Sequence, residues 1–256
     1  MNSVFSTGAR GRVRRLHAPG RSVAATDRAA PGAGAPMEMK KRSGSGRYIA
    51  VEGCIGAGKS TVAHLLAERM NGELIVEAPH GNPFLERFYN GVTQAALPSQ
   101  LYFLLHRTQL AERIKKDDLF PTTRISDFLL ERDRVYAECT LASDELQVYD
   151  MVREAVSIDP PAPDLVLFLQ TSVRTLLKRI ANRGIPMERR ITAEYLELLN
   201  EAMARFILDY DEAPVLIVNT EAIDLVNNDA HIELLLNEME QVRSGRTYFD
   251  PSGLVV

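Results

Sequence analysis

From residue 47 onward, short apolar runs alternate with longer stretches whose apolar positions recur at helical spacing. Tyr48–Glu52, Leu74–Glu77, Arg124–Phe128, Leu165–Gln170 and Val215–Asn219 are nearly continuous apolar runs. That pattern suits strands of a parallel sheet covered on both faces, because neither face then needs polar positions. Helical spacing covers Lys59–Met70, Pro83–Tyr89, Ser99–Lys116, Ser143–Val156, Ser172–Asn182, Ala193–Tyr210 and His231–Val242. Strands interleaved with helices predict one α/β domain over residues 47–256. Its expected form is a three-layer fold, a five-stranded parallel sheet with helices on both sides. Ligands of such sheets bind beyond the carboxyl ends of the strands.

The first strand-to-helix junction narrows the chemistry. It reads Gly53, Cys54, Ile55, Gly56, Ala57, Gly58, Lys59, Ser60, Thr61, with the spacing G-x-x-x-x-G-K-S of a phosphate-binding loop (P-loop). Glycines let successive backbone N–H groups turn inward around phosphate oxygens. Lys59 brings a point charge to the terminal phosphates, and the Ser60 hydroxyl is a ligand for Mg²⁺. The helix that follows points its positive end at the same anion. A chance glycine-rich turn would lack both the strand before and the helix after. The chain is therefore expected to bind a nucleoside triphosphate.

Composition removes several other classes. The hydrophobic fraction of 45% in 256 residues supports one substantial core. No apolar run approaches the roughly 18–20 residues of a membrane span. Residues 1–46 carry nine Lys or Arg against Asp27 and Glu38, a net +7, while the rest sets 21 positives against 32 acids, a net −11. An acidic body argues against nucleic acid as the main partner. Cys54 and Cys139 have no paired spacing, and Cys54 lies inside the loop, so a reducing, cytoplasmic setting is expected. Residues 1–46 are rich in Ala, Gly, Ser, Pro and Arg with no sustained period, which predicts a disordered or mis-assigned extension. Met37 and Met39 are alternative starts, and an organelle transit peptide is the competing reading.

Three further clusters carry candidate chemistry. Glu77 is expected to close the second strand and face the cleft, placed to take a proton from a hydroxyl. Asp127, in RISDF at the end of the third, is placed to hold Mg²⁺ beside Ser60. The stretch LLKRIANRGIPMERRI sets Arg179 and Arg183 on one helical face and breaks at Gly184–Pro186. It reads as a short helical lid, about 179–191, whose cations neutralise a transferring phosphoryl group. In SQLYFLLHR, Gln100 and Arg107 lie among apolar residues and need polar partners, which a nucleobase edge could supply. The aromatic residues there, Tyr102 and Phe103, read more simply as core. His64, His80 and His106 read as structural or solvent-facing.

Taken together, the phosphate loop, Glu77, NPFLERFY, SQLYFLLHR, RISDFLLERDRVYAECTL and RIANRG resemble the deoxynucleoside kinase family. The likeness is greatest to its bacterial deoxyadenosine/deoxyguanosine branch and runs from about Tyr48 to TYFDPSG. The resemblance implies phosphorylation of a deoxyribonucleoside 5′-hydroxyl, purine preferred, by ATP and Mg²⁺, in a homodimer. By position it makes Glu77 the general base and gives Tyr89 and Glu188 to the sugar 3′-hydroxyl. Gln100 and Arg107 go to the base, Asp127 to the metal, and Arg183 to the lid. The family commonly has an arginine directly after the third-strand acid, where this chain has Phe128. Arg132 or Arg134 is the replacement. The second lid arginine is Ile185 here, with Arg189 or Arg190 as substitutes.

Two rivals share the loop. A nucleoside monophosphate kinase of the thymidylate kinase type would need extra cations for the acceptor phosphate and has no use for an acid at Glu77. A nucleotide-dependent switch would show a DxxG element after the third strand, where this chain reads DFLL.

Overall fold

The structure is a computed structural model that describes residues 46–115, 122–156 and 161–250. The predicted N-terminal extension, Gly46 apart, and the end of the TYFDPSG stretch lie outside the described residues. The strands are β1 (Tyr48–Gly53), β2 (Glu73–Ile75), β3 (Arg124–Ser126), β4 (Leu165–Gln170), β5 (Val215–Asn219) and β6 (Arg246–Phe249). All pairings are parallel, in the order β2-β3-β1-β4-β5-β6. The helices are α1 (Lys59–Arg69), α2 (Leu85–Tyr89), α3 (Ala96–Lys115), α4 (Asp133–Thr140), α5 (Ser143–Ala155), α6 (Val173–Arg183), α7 (Ala193–Asp209) and α8 (Asp229–Gln241). Among the described residues no helix is long and apolar enough to cross a membrane.

Side chains alternate along the central strands, so each apolar run feeds two cores. Ile49 and Val51 of β1, with Leu165, Leu167 and Leu169 of β4, pack with Val62 and Leu66 of α1 and Leu235 and Met239 of α8. Tyr48 and Ala50, with Val166 and Phe168, pack with Leu110 and Ile114 of α3 and Met203 and Ile207 of α7. The three-layer α/β architecture follows, because a strand buried on both sides must be covered twice. Local chemistry starts the helices. Ser172, Thr192 and Asn228 accept from the backbone N–H groups of Thr175, Tyr195 and Ala230 at α6, α7 and α8.

Three expectations are corrected. The sheet has a sixth strand: β6 extends the edge beside β5, with Val215 opposite Arg246 and Val218 opposite Phe249. Only Phe249 of its four residues is buried, so no apolar run marked it. The second strand stops at Ile75, two residues before Glu77, which therefore stands in the loop beyond the sheet. Finally, α4 forms from DRVYAECT, whose charges hid a helix that buries Asp133, Val135 and Ala137.

Candidate active site

The phosphate loop joins β1 to α1 beyond the carboxyl end of the central strand. Gly58, at φ 102°, caps α1 in the left-handed region. Gly56 has φ 84°, and a Cβ there would lie 2.9 Å from Ile180 Cγ1 and 3.0 Å from the Leu176 carbonyl oxygen. Helix α6 thus rests directly on the loop, and only glycine fits between. Arg179 of α6 strengthens the contact by donating to the Ala57 carbonyl at 2.8 Å and the Thr220 carbonyl at 3.0 Å. Cys54 is buried, and burial pushes its thiol up to about 11, which leaves it protonated and unreactive.

Lys59 is half-buried and curls back to donate to the Gly53 carbonyl at 2.9 Å and the Cys54 carbonyl at 3.1 Å. Burial, reinforced by Arg132, lowers its pKa against the pull of Glu52. An incoming phosphate would relieve that cost, since the ammonium lacks a directly bonded carboxylate partner. Ser60 Oγ donates to Asp127 Oδ2 at 2.5 Å, and Asp127 Oδ1 accepts the Glu77 backbone N–H at 2.8 Å. The two side chains predicted to share a metal are therefore adjacent, although 67 residues separate them. No cluster of three or more His, Cys, Asp or Glu suited to a metal exists among the described residues.

Glu77 is nearly buried and held by two arginines. Arg107 Nη2 donates to Oε2 at 2.8 Å and Arg132 Nη2 donates to the same oxygen at 3.1 Å. Oε1 lies within 2.7 Å of Arg107 but accepts no well-directed hydrogen bond. Burial alone would raise the Glu77 pKa, but the two guanidiniums outweigh it and hold the carboxyl below its ordinary value. Arg107 reaches Asp133 with its other amino group and lies over the Phe103 ring. The two amino groups of this buried arginine thus face carboxylates within the protein, Glu77 and Asp133, while its Nε has no hydrogen-bond partner. Gln100 also has an internal partner, donating to Thr140 Oγ1 at 3.0 Å, while Thr140 itself donates to the Tyr136 carbonyl.

Of the two arginines proposed to replace the residue after Asp127, Arg132 enters the site and Arg134 does not. Arg132 ends the 3-10 turn Leu130–Arg132, which aims it inward at Glu52 and Glu77. Arg134 lies on the surface of α4, paired with Asp150 and Glu138. At the lid, α6 ends at Gly184 with φ 69°, and a 3-10 turn Pro186–Arg190 follows. Glu188 turns inward and accepts from Arg183 at 2.6 Å. Arg189 and Arg190 are exposed.

A cleft with a volume of about 120 Å³ gathers these groups, lined by Lys59, Ser60, Glu77 and Asp127 together with Tyr89, Gln100, Arg183 and Glu188. Phe103 lines it too, so the aromatic stripe of α3 is more than core. Burial and the nearby Glu188 raise the Tyr89 phenol, which stays a neutral donor. A second hollow beside the loop is lined by Gly58, Thr61, Arg179, Thr220 and Val226. Glu52, Asp133 and Thr140 escaped the sequence reading. The one trace of Glu52 was a lone acid in the apolar run YIAVEG, while Asp133 and Thr140 lay in the helix that charge concealed.

Comparisons with known proteins identify the family. Residues 49–243 match the deoxynucleoside kinase family. The chain is 30% identical over 200 residues to the deoxyguanosine kinase of Bacillus subtilis, covering 76% of this chain and 97% of that protein. It is 29% identical over 205 residues to the deoxyadenosine/deoxycytidine kinase of the same organism, covering 76% and 92%. The solved structure of deoxyadenosine kinase from M. mycoides with bound dATP superposes with a TM-score of 0.67. The identity is 26%, over 76% of this chain and 100% of that one. With a phosphate loop, an arginine-clamped glutamate and a cleft between them, the chain belongs to the deoxynucleoside kinase family.

Proposed function

We propose that this kinase transfers the γ-phosphoryl group of ATP, with Mg²⁺, to the 5′-hydroxyl of a purine deoxyribonucleoside. The observation that carries the reading is that Lys59 and Ser60 open into the same cleft as Glu77. A phosphate-holding loop beside a carboxylate that already occupies the neighbouring arginines suits a hydroxyl acceptor. The purine preference draws on the relatives, named for deoxyguanosine and deoxyadenosine. The family resemblance further supports a homodimer, which light scattering of the purified protein tests.

In this reading the 5′-oxygen attacks the γ-phosphorus, the bond from that phosphorus to the β-γ bridging oxygen breaks, and ADP leaves. The hydroxyl proton passes to the Glu77 carboxylate and then to solvent. The arginine pair keeps Glu77 ionised and also weakens it as a base, so the proton moves late, as the new bond forms. Lys59 balances charge on the terminal phosphates. Arg183 leaves Glu188 for the phosphoryl group, and Glu188 with Tyr89 takes the sugar 3′-hydroxyl. Gln100 pairs with the base edge, its amide fixed by Thr140, and Arg107 both anchors Glu77 and bounds the base pocket. Arg179 and Thr61 line the ATP side.

Ser60 Oγ and Asp127 Oδ2 are an all-oxygen pair of the kind Mg²⁺ takes, with water and phosphate oxygens completing its shell. When bound there, the ion would neutralise charge on the phosphate chain. Purified protein with ATP and Mg²⁺ against the four deoxynucleosides and their monophosphates tests the whole proposal. Deoxyadenosine or deoxyguanosine should be the fastest acceptor. Phosphorylation of monophosphates alone would overturn the hydroxyl-acceptor reading, and a pyrimidine preference would overturn the base assignment.

A further inference from the structure

Glu52 is fully buried in the central strand, one residue before the phosphate loop. An apolar residue would cost less there, since a buried carboxylate loses its hydration. Its oxygens are fully engaged. Oε1 accepts the Gly53 N–H at 2.9 Å and Arg132 Nη1 at 2.9 Å, and Oε2 accepts the Leu129 N–H at 2.8 Å. The first residue of the phosphate loop, the segment after β3 and Arg132 thus meet on one side chain. The other amino group of Arg132 reaches Glu77 Oε2 at 3.1 Å. Arg132 is therefore stretched between a carboxylate inside the sheet and the one in the cleft. Oε2 thus takes a directed bond from each arginine, while Oε1 stays buried beside Arg107 Nη2 at 2.7 Å.

We propose that Glu52 is a positioning residue that anchors Arg132 and, through it, orients Glu77 toward the acceptor hydroxyl. The proposal rests on the reading of Glu77 as the proton acceptor. A mere staple of the fold would need Glu52 only for the Gly53 and Leu129 backbone groups. Acting through Arg132 instead, Glu52 registers the acceptor half of the site to the donor half, because one carboxylate holds both.

The test is a double-mutant cycle on the full chain between Glu52→Gln and Arg132→Lys, with Glu77→Gln measured in parallel. Folded sites are counted by equilibrium ATP binding and thermal melting, and turnover is expressed per folded site. Glu52→Gln keeps the shape and loses the charge that holds Arg132. Its kcat should fall about tenfold or more while both KM values stay within about threefold, and the double variant should be no slower than the slower single one. Glu52→Asp keeps the charge with a shorter reach and should fall between, which covers a Gln variant that does not fold. Wild-type kcat in the folded Glu52 variants, or losses that multiply with that of Arg132→Lys, would overturn the proposal. So would wild-type kcat in Arg132→Lys if neither Glu52 variant folds. A Glu77→Gln variant with wild-type kcat would instead remove the reading of Glu77 beneath it.

Discussion

The two halves of the cleft are built on different principles. The donor half is one continuous stretch, Gly53 to Thr61, whose shape comes from backbone conformation and from α6 packed on Gly56. The acceptor half takes Glu77, Tyr89, Gln100, Arg107, Arg132 and Glu188 from several segments and joins three of them, Glu77, Arg107 and Arg132, by buried ion pairs. A backbone cradle tolerates no change of local geometry, but its partners are close in sequence. A side-chain network draws distant residues together, and each member depends on the charge of the next.

That contrast can be broken experimentally. Lys59→Ala should have the largest effect, on the order of 1,000-fold in kcat, through lost stabilisation of phosphate charge. Retained turnover in a steady-state assay would refute the donor half outright. Glu77→Gln should lower kcat by at least ~100-fold, as expected for a positioned base, with ATP binding preserved. If ATP affinity fell equally, the two halves would not be separable.

Gly56→Ala probes the cradle itself. The new Cβ meets Ile180 at 2.9 Å on a backbone with φ 84°. Such strain costs about 1–3 kcal/mol, read as a lower denaturation midpoint and weaker ATP binding, with no change in nucleoside affinity. An unchanged midpoint would show that α6 can move away from the loop.

The acceptor network predicts a pH dependence. Arg107 and Arg132 hold the folded-state pKa of Glu77 below its unfolded value. Its contribution to stability is therefore fully present above the unfolded value, ~4.3, and is lost as pH falls through the folded value. Melting curves of the wild type and Glu77→Gln should converge as the solution is acidified from neutral. A constant gap would show that the arginines do not favour the charged form. The smallest effect belongs to Arg134→Ala. Its side chain is 42% exposed, and solvent screens its pairs with Asp150 and Glu138. It should change stability by less than ~0.5 kcal/mol and leave turnover unchanged, in contrast to Arg132 two residues earlier.

Legibility in the sequence follows the same division. Glu77 and Asp127 stand out in the sequence because strand ends in a parallel sheet face the cleft, and both line it, although β2 stops short of Glu77. The loop was found because its spacing is local. The choice between Arg132 and Arg134 stayed open because it turns on a 3-10 turn at Leu130–Arg132, which no periodicity marks. Strand β6 was missed because an edge strand with one buried residue shows neither an apolar run nor alternation. Glu52 was passed over because its partners, Leu129 and Arg132, lie 77 and 80 residues away.

By itself, then, the sequence determined the α/β class, the place of the phosphate-loop motif and the family. Each depends on short-range spacing or on a pattern repeated along whole elements. Only the tertiary structure decided which arginine guards Glu77, which groups face Gln100 and Arg107, and that a buried glutamate in β1 touches both the loop and Arg132. Charge pairing in a low-dielectric interior depends on distances of a few ångströms between residues that the chain keeps far apart.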